Sequence, residues 1–580
     1  MKSLAKAKAQ FRSTFLIIAG FSFVVNILML TMPLYMLQIY DRILPSRSLD
    51  TLTFLSIIAL GALLVLGLLE AVRGILAARA AARLETNLGA DAMRVSMILG
   101  AHGSSDVQPV RDLAAVRHFI SSRAIFALMD MPFAPMFIGL LYLIHPSIFW
   151  LTLAGAVVLL LLAVLTQYLT SDKASLAQGK QGTAMGAANA MSENAETLRA
   201  MGMIDNGIQS WGRHNAESMI AQGSVDTRNA LLSGFSRTIR LLLQIAILGL
   251  GAWLVLQNEM TPGMIFAASI ISSRGLQPLD QVIGAWKQMV TTRRSWTHLS
   301  KLLARLPETI DRTQMEKPKG EISLESVSVA PPRGVAGDPI LNRVELVIEP
   351  GTIVGVVGPS GSGKSTLARL LVGAQGADSG QIRIDGTDIK NWDPNQLGRD
   401  IGYLSQEVRL FPGTIKENIA RLSMQPDDAA VLEAARKAQV HGLIQSLPHG
   451  YDTLVGPNGY KPSVGQRQRI ALARVFYGNP QIMVLDEPNA NLDDDGELAL
   501  RRALAEARKA GTTVVVITQR KQILNDVDKI LRLHRGKVDF FGTTKEFVMA
   551  IKSAQQRAQQ AAGVQVAQAP APKKPKKPRK

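Results

Sequence analysis

The densest chemistry in the sequence begins at Gly358. The run Gly358-Pro359-Ser360-Gly361-Ser362-Gly363-Lys364-Ser365-Thr366 follows an apolar strand ending at Val357 and precedes the apolar helical stretch LARLLVG. The spacing G-x-x-x-x-G-K-S lets successive backbone N–H groups curl around phosphate oxygens at a helix N-terminus, where the dipole favours negative charge. In that arrangement Lys364 bridges the terminal phosphates as a point charge and Ser365 ligates Mg²⁺. A glycine-rich turn without a ligand is the plain alternative, but this spacing rarely falls between a strand and a helix by accident. A second apolar strand, Gln481 to Leu485, ends in Asp486-Glu487-Pro488. Asp486 is placed to hold a metal-bound water, and Glu487 to polarise a water that attacks a γ-phosphate. Alone, the two acids read as a cap for the next helix; beside a phosphate loop they read as metal ligand and base.

These residues need a scaffold. From EISLESVSV onward, alternating or apolar strand-like runs are separated by helical stretches at regular intervals, the pattern of an α/β domain with a largely parallel sheet. It is expected to span 321–553, preceded by a polar, Pro-containing linker at 306–320. The Ala/Gln/Pro/Lys sequence of 554–580 cannot bury a core and reads as a disordered basic tail.

The first 300 residues differ. The whole chain of 580 residues is 47% hydrophobic and only 19% charged, which excludes a disordered protein and a single compact soluble domain. Residues 14–37 carry no charge over a length that spans a bilayer as a helix, and no cleavage site follows. Further spans are expected at 52–70, 124–144, 149–168, 241–257 and 262–286, the last being the least apolar. Six spans put both ends on one side. Arginines crowd the long segments 71–123 and 169–240, so the positive-inside rule places those segments and both termini, including a basic stretch at 1–12, in the cytoplasm. Ala-, Met- and Leu-rich runs in the long segments favour helices that continue well beyond the bilayer.

The net charge of +18 first suggests nucleic acid, but Lys-rich ends beside membrane spans are attracted to anionic headgroups, so no nucleic acid beyond a nucleotide is expected. There is no cysteine, which excludes disulfides, cysteine-ligated zinc, iron–sulfur clusters and thiol nucleophiles. Arg237 and Arg240, at the start of the fifth span, are expected to snorkel or face the cytosol. Arg274 and Asp280 are six apart, off a common helix face, so a direct pair is not expected; Arg274 is a candidate for the translocation path.

The order of phosphate loop, Gln406 in YLSQEVRLFPGTIKENI, SVGQRQRIALAR and VLDEPNANLD resembles an ATP-binding cassette. The amino-terminal blocks MPLYMLQIYDRILPSRSLDTL, MDMPFAPMFIGLLYLIHP, SENAETLRAMGM and TPGMIFAASIISSRGLQPLDQVIGAW resemble the permease half of type I secretion exporters of proteases, lipases and repeat-in-toxin proteins. The resemblance covers roughly 10–550. It implies a multidomain chain: a six-helix all-α transmembrane ABC exporter domain at 13–305, then an α/β P-loop nucleotide-binding domain. It further implies an ATP- and Mg²⁺-dependent half-transporter in the bacterial inner membrane, paired with a second copy of itself around sandwiched ATP. The implied partners are a membrane-fusion adaptor, an outer-membrane channel and an unfolded secreted protein. By the same resemblance Gly358 to Thr366 hold the nucleotide, and Gln406 senses the γ-phosphate and metal. Asp486 holds Mg²⁺ through water, Glu487 is the base, Asp493 lies in the cross-subunit loop, and Ser463, Gly465 and Gln466 reach the partner's nucleotide. The likeness is to members without an amino-terminal cysteine-protease domain, since the sequence opens on its first span and lacks cysteine.

Three departures bear on catalysis. Val464 stands where the family has a glycine, with Pro462 where leucine is usual, and a β-branched residue resists positive φ, so the local N–H groups are expected to be displaced. Gln519 stands where the family has a histidine; it donates a hydrogen bond but cannot become cationic, so slower hydrolysis is expected. VSVAPP lacks an adenine-stacking aromatic near Val329, leaving Pro331 or Pro332 to offer an apolar face. A heterodimer would not cleanly rescue one site, because Gln519 and Val464 belong to opposite sites, so a homodimer is expected. The rival readings are a lipid or glycan exporter and a weakly hydrolysing, nucleotide-gated regulatory subunit.

Overall fold

The computed structural model describes residues 2–101, 107–304, 306, 314–331, 337–456 and 459–553. The chain divides into two compact units, Met1–Glu308 and Thr309–Lys580. The basic tail expected at 554–580 and Pro332 lie outside the described residues.

The first unit is helical: α1 (Lys2–Leu28), α2 (Thr31–Gln38), α3 (Leu44–Ser46), α4 (Leu49–Ala101), α5 (Gln108–Ser121), α6 (Arg123–Asp130), α7 (Ala134–Ile144), α8 (Pro146–Glu193), α9 (Ala195–Ala200), α10 (Ile204–Leu256) and α11 (Pro262–Leu303). Among the described residues, five stretches are long and apolar enough to cross a membrane: Arg12–Ser46, Leu49–Leu99, Arg123–Ile144, Pro146–Glu193 and Ile204–Leu256. They contain the first four expected spans and all but the last residue of the fifth, 241–257. The sixth expected span lies in α11, a continuous 42-residue helix that is not among those five. Arg274, Asp280 and Lys287 lower its hydropathy.

Helices α4 and α10 have 53 residues each and α8 has 48, roughly 70–80 Å at 1.5 Å per residue. A hydrocarbon core is about 30 Å thick, so these helices run on well past any bilayer, as their helix-forming composition predicts. α8 and α10 pack closely: a Cβ on Gly155 would run into the Leu243 side chain.

Polar side chains tie the helices where water is scarce. Arg73 on α4 reaches the Asp130 carboxylate at 2.9 Å, Asn26 on α1 donates to the same carboxylate at 3.0 Å, and Arg73 lies over the Phe126 ring. Asp41 accepts from Thr261 Oγ1 at 2.6 Å and from the Gly263 N–H at 2.8 Å, capping the start of α11. Arg237 is exposed. The expectation for Arg240 is corrected: it turns inward to Asp280, Nε to Oδ2 at 3.6 Å, while Ser236 donates to the other oxygen at 2.7 Å. A half-buried carboxylate recruits the nearest cation, and that cation is on the neighbouring helix.

The second unit is built on two larger sheets. A six-stranded sheet has the order β12-β11-β3-β10-β9-β6, from β3 (Ile353–Val357), β6 (Ile401–Leu404), β9 (Ile482–Asp486), β10 (Thr513–Ile517), β11 (Lys529–His534) and β12 (Lys537–Thr543). All its pairs are parallel except β11 with β12. A four-stranded antiparallel sheet has the order β2-β1-β4-β5, from β1 (Ile322–Val329), β2 (Leu341–Ile348), β4 (Ser379–Ile384) and β5 (Thr387–Asp388). A short ladder joins β7 (Gly413–Thr414) to β8 (Leu454–Val455).

The parallel strands are buried on both faces, which is why they read as unbroken apolar runs. Met483, Leu485, Val514 and Val516 point into one core, Val484, Val515 and Ile517 into the other, as the two-residue strand period requires. Residues of the expected linker are bound onto this unit. The Met315 N–H donates to Gln396 Oε1 at 3.0 Å, and the Asp385 carboxylate accepts the N–H groups of Lys319, Gly320 and Glu321.

Candidate active site

β3, β9 and β10 are adjacent and parallel, so their carboxyl ends lie side by side, where open α/β sheets bind ligands. β3 ends in the phosphate loop, β9 in Asp486, and β10 leads to Gln519.

The loop enters the helix Lys364–Leu371 through Gly363. Gly363 has φ +96°, and a Cβ there would lie 2.7 Å from Leu341 Cδ2 and 2.8 Å from the Ile340 carbonyl, so no other residue fits. Lys364 is only 9% exposed. Its ammonium folds back on the loop, donating to the carbonyls of Gly358 and Pro359 at 2.9 Å each. The Ser362 hydroxyl is buried without a hydrogen-bond partner.

Ser365 Oγ donates to Gln406 Oε1 at 3.4 Å. Asp486 is 2% exposed, and its Oδ1 has no hydrogen-bond partner. Burial pushes its carboxyl above the ordinary range, a hydrogen bond from Ser365 opposes this, and the neighbouring Glu487 charge adds to it. A hydroxyl, an amide carbonyl and an orphaned buried carboxylate form an all-oxygen donor set, which suits a hard divalent cation such as Mg²⁺. The site therefore fits the metal that the sequence implies.

Glu487 is held in an uncommon conformation, φ +52°, while its N–H continues the sheet by donating to the Ile517 carbonyl at 3.0 Å. Gln468, missed in the sequence, secures it: its buried amide donates to the carbonyls of Glu487 at 3.2 Å and Pro488 at 2.5 Å. Its only sequence signal was a second glutamine two residues after Gln466. Gln519 is exposed. Next to it, Thr518 is buried and donates to Asn489 Oδ1 at 3.0 Å, joining the ends of β10 and β9.

The segment at Val464 departs from expectation. Ser463 is the N-cap of the helix Val464–Phe476, and Ser463 and Gln466 form a reciprocal capping box. Val464 is the first helical residue, 51% exposed and without positive φ, so valine displaces nothing. The glycine that matters sterically is Gly465, whose Cβ would lie 2.7 Å from the Asn491 carbonyl. The Gln466 side chain is occupied locally, accepting from the Ser463 N–H and from Tyr460 Oη at 2.9 Å each. Asp493 caps the helix Asp494–Lys509 and accepts from Arg469 at 3.1 Å.

The structure thus gathers Gly358–Thr366, Gln406, Asp486 and Glu487 around one point, with Gln519 on the adjoining strand end. Ser463, Gly465, Gln466 and Asp493 form a second group, joined through Asn491 and Arg469, and among the described residues none of them hydrogen-bonds the phosphate loop. Behind both groups, two further residues escaped the sequence reading. Arg474 stacks on Phe411 and donates to the Asn418 carbonyl, and burial lowers its pKa to about 10. Arg421 donates to the carbonyls of Gly398, Arg399, Arg474 and Val475.

Residues 341–490 match the ABC transporter family, and residues 15–277 match the ABC transporter transmembrane region. The chain is 38% identical over 555 residues to the type I secretion system ATP-binding protein PrsD of Rhizobium meliloti, covering 95% of each. The chain belongs to the ABC transporters of type I secretion. This ABC transporter is also 30% identical over 536 residues to the cyclolysin secretion/processing ATP-binding protein CyaB of Bordetella pertussis, covering 91% of this chain and 75% of that one. A bacterial Atm1-family ABC exporter with ATP bound shares its fold at a TM-score of 0.79 and 22% identity, covering 95% of this chain and 99% of the other. The transporter is a membrane protein with an ATP-binding ABC-type ATPase domain.

Proposed function

We infer that this ABC transporter drives an unfolded protein out through the bacterial inner membrane, working as a homodimer that sandwiches ATP between its cassettes. The observation that carries the motor reading is the carboxylate pair: Asp486 keeps one buried oxygen free, and Glu487 is fixed beside it by Gln468. Lys364, Ser365 and Thr366 hold the phosphates together with the loop from Gly358. Ser365, Gln406 and Asp486 hold Mg²⁺, which when bound neutralises phosphate charge. Glu487 accepts a proton from the attacking water, and Gln519 orients that water. Ser463 and Val464 are exposed and Gly465 lies beside them, so this group is free to meet the nucleotide of the second copy. Asp493 sits in the loop that faces the same partner.

The domain limits follow: a transmembrane domain at 13–305 with α11 as sixth crossing, a cassette at 321–553, and both termini cytoplasmic. Export across two membranes calls for a periplasmic adaptor and an outer-membrane channel. The relatives named for type I secretion and cyclolysin secretion favour a protein cargo over a lipid or glycan.

The chain has no cysteine, so cross-linking reads the sandwich directly. Ser360→Cys combined with Val464→Cys, treated with a bifunctional thiol reagent, is expected to give a covalent dimer with Mg-ATP and little without nucleotide. Nucleotide-independent cross-linking, or none under either condition, would contradict the sandwich.

A further inference from the structure

Between α4, α5, α6, α8 and α11 lies a cavity of about 930 Å³. One end is apolar, walled by Phe119, Ile125, Leu128 and Met289. At the other, Arg293, Arg294, His298 and Lys301 stand among the apolar Leu84, Val116, Ile120 and Trp296, and no carboxylate lines the cavity among the described residues. The nearby acid is already engaged: the buried Asp112 accepts from Gln108 at 3.0 Å and pairs with the His298 ring at 2.6 Å. Arg293, Arg294 and Lys301 have no acidic partner among the described residues.

The level of this cationic end is fixed by a hydrogen bond. Arg294 donates to the Ser171 carbonyl at 3.1 Å, and Ser171 lies just past the apolar run 149–168 of α8. The Arg294 guanidinium therefore sits where the apolar run of α8 ends, and Trp286, which lines the cavity, carries a buried indole N–H without a hydrogen-bond partner. Basic pockets between membrane helices at this level recognise anionic headgroups, and tryptophan favours the same interface. A water-soluble anion would leave the apolar end unused, and a zwitterionic lipid would leave the cationic end unmatched.

We propose that this cavity binds an anionic phospholipid, with its phosphate on Arg293, Arg294 and Lys301 and an acyl chain among Phe119, Ile125, Leu128 and Met289. Only the choice of leaflet rests on the topology inferred above; the site itself is independent of what the transporter exports.

The test is native mass spectrometry of the delipidated full-length protein, titrated with phosphatidylglycerol or with phosphatidylcholine of the same chains. Phosphatidylglycerol is expected to bind one per chain about tenfold more tightly, a difference of about 1.4 kcal/mol. Arg293→Gln/Arg294→Gln/Lys301→Gln is expected to erase that preference. Changing the exposed Lys173, Arg199 and Arg213 to glutamine is expected to keep it. Val290→Trp, which fills the cavity and leaves every charge, is expected to weaken phosphatidylglycerol binding by a similar factor. Equal affinity for the two lipids in the unaltered protein would overturn the proposal without recourse to any variant. So would full retention in Val290→Trp, or displacement of the lipid by a soluble acidic peptide, because either shows that the apolar end selects nothing.

Discussion

At Asp486, catalysis and stability pull in opposite directions. Its carboxyl is buried with one oxygen unbonded and its pKa raised by that burial. A carboxyl whose folded pKa lies above its unfolded one stabilises the fold fully below the ordinary value and loses that contribution as pH rises through the folded value. Metal-free protein should therefore lose stability across that window. Asp486→Asn should flatten this pH dependence, raise metal-free stability by about 1–3 kcal/mol, and abolish the further stabilisation by Mg-ATP. Thermal melts across pH, with and without Mg-ATP, check all three; an unchanged Mg-ATP shift in the variant would remove Asp486 from the metal site. Gln519 and Val464 separate in the same way. Val464→Gly should leave hydrolysis within about twofold, because Val464 already sits in a normal helical first turn. Gln519→His should raise kcat roughly 3–10-fold, the worth of exchanging a neutral for a charge-assisted hydrogen bond, about 1 kcal/mol. Steady-state rates of the two variants decide between them.

Elements place these residues, and two arginines hold the elements. Arg421 binds four backbone carbonyls at the end of the helix Val464–Phe476 and around β6, and Arg474 binds the Asn418 loop. Arg421→Ala leaves the part-buried Arg474 and Val475 carbonyls unbonded and should cost about 1–3 kcal/mol, read as a lower denaturant midpoint with nucleotide affinity retained. The phosphate loop, β9 with Asp486-Glu487 and the long helices were legible because each rests on local order: glycine spacing, unbroken apolar runs and helix-forming composition. The S-x-x-Q capping box at Ser463 rests on the same local order but was overlooked in favour of the missing glycine, and it shows why a valine is harmless there. Gln468, Arg421 and Arg474 were not legible, because their partners lie 19 to 65 residues away and only the fold brings them together. Asp280 likewise looked unpaired while only its own helix was considered; its cation stands on α10.

For the whole molecule, the charge of +18 and the apolar half answer to one membrane setting, with cationic side chains gathered where the apolar runs of the helices end. Within the cassette, the residues we assign to phosphate and metal are assembled at the carboxyl ends of the adjacent strands β3, β10 and β9, apart from the exposed group at Ser463. The proposed sandwich requires two cassettes to meet, so activity should depend on protein concentration in detergent and persist in lipid where two copies are held together. The central claim is that Glu487 is the base of a working ATP-driven exporter despite Gln519. Steady-state ATP hydrolysis in lipid vesicles at saturating Mg-ATP, for the unaltered protein against Glu487→Gln, tests it most directly. Measurable turnover in the former that falls by about two orders of magnitude or more in the latter, with ATP still bound, is the result expected for loss of a general base; equal, near-zero rates in both would contradict it.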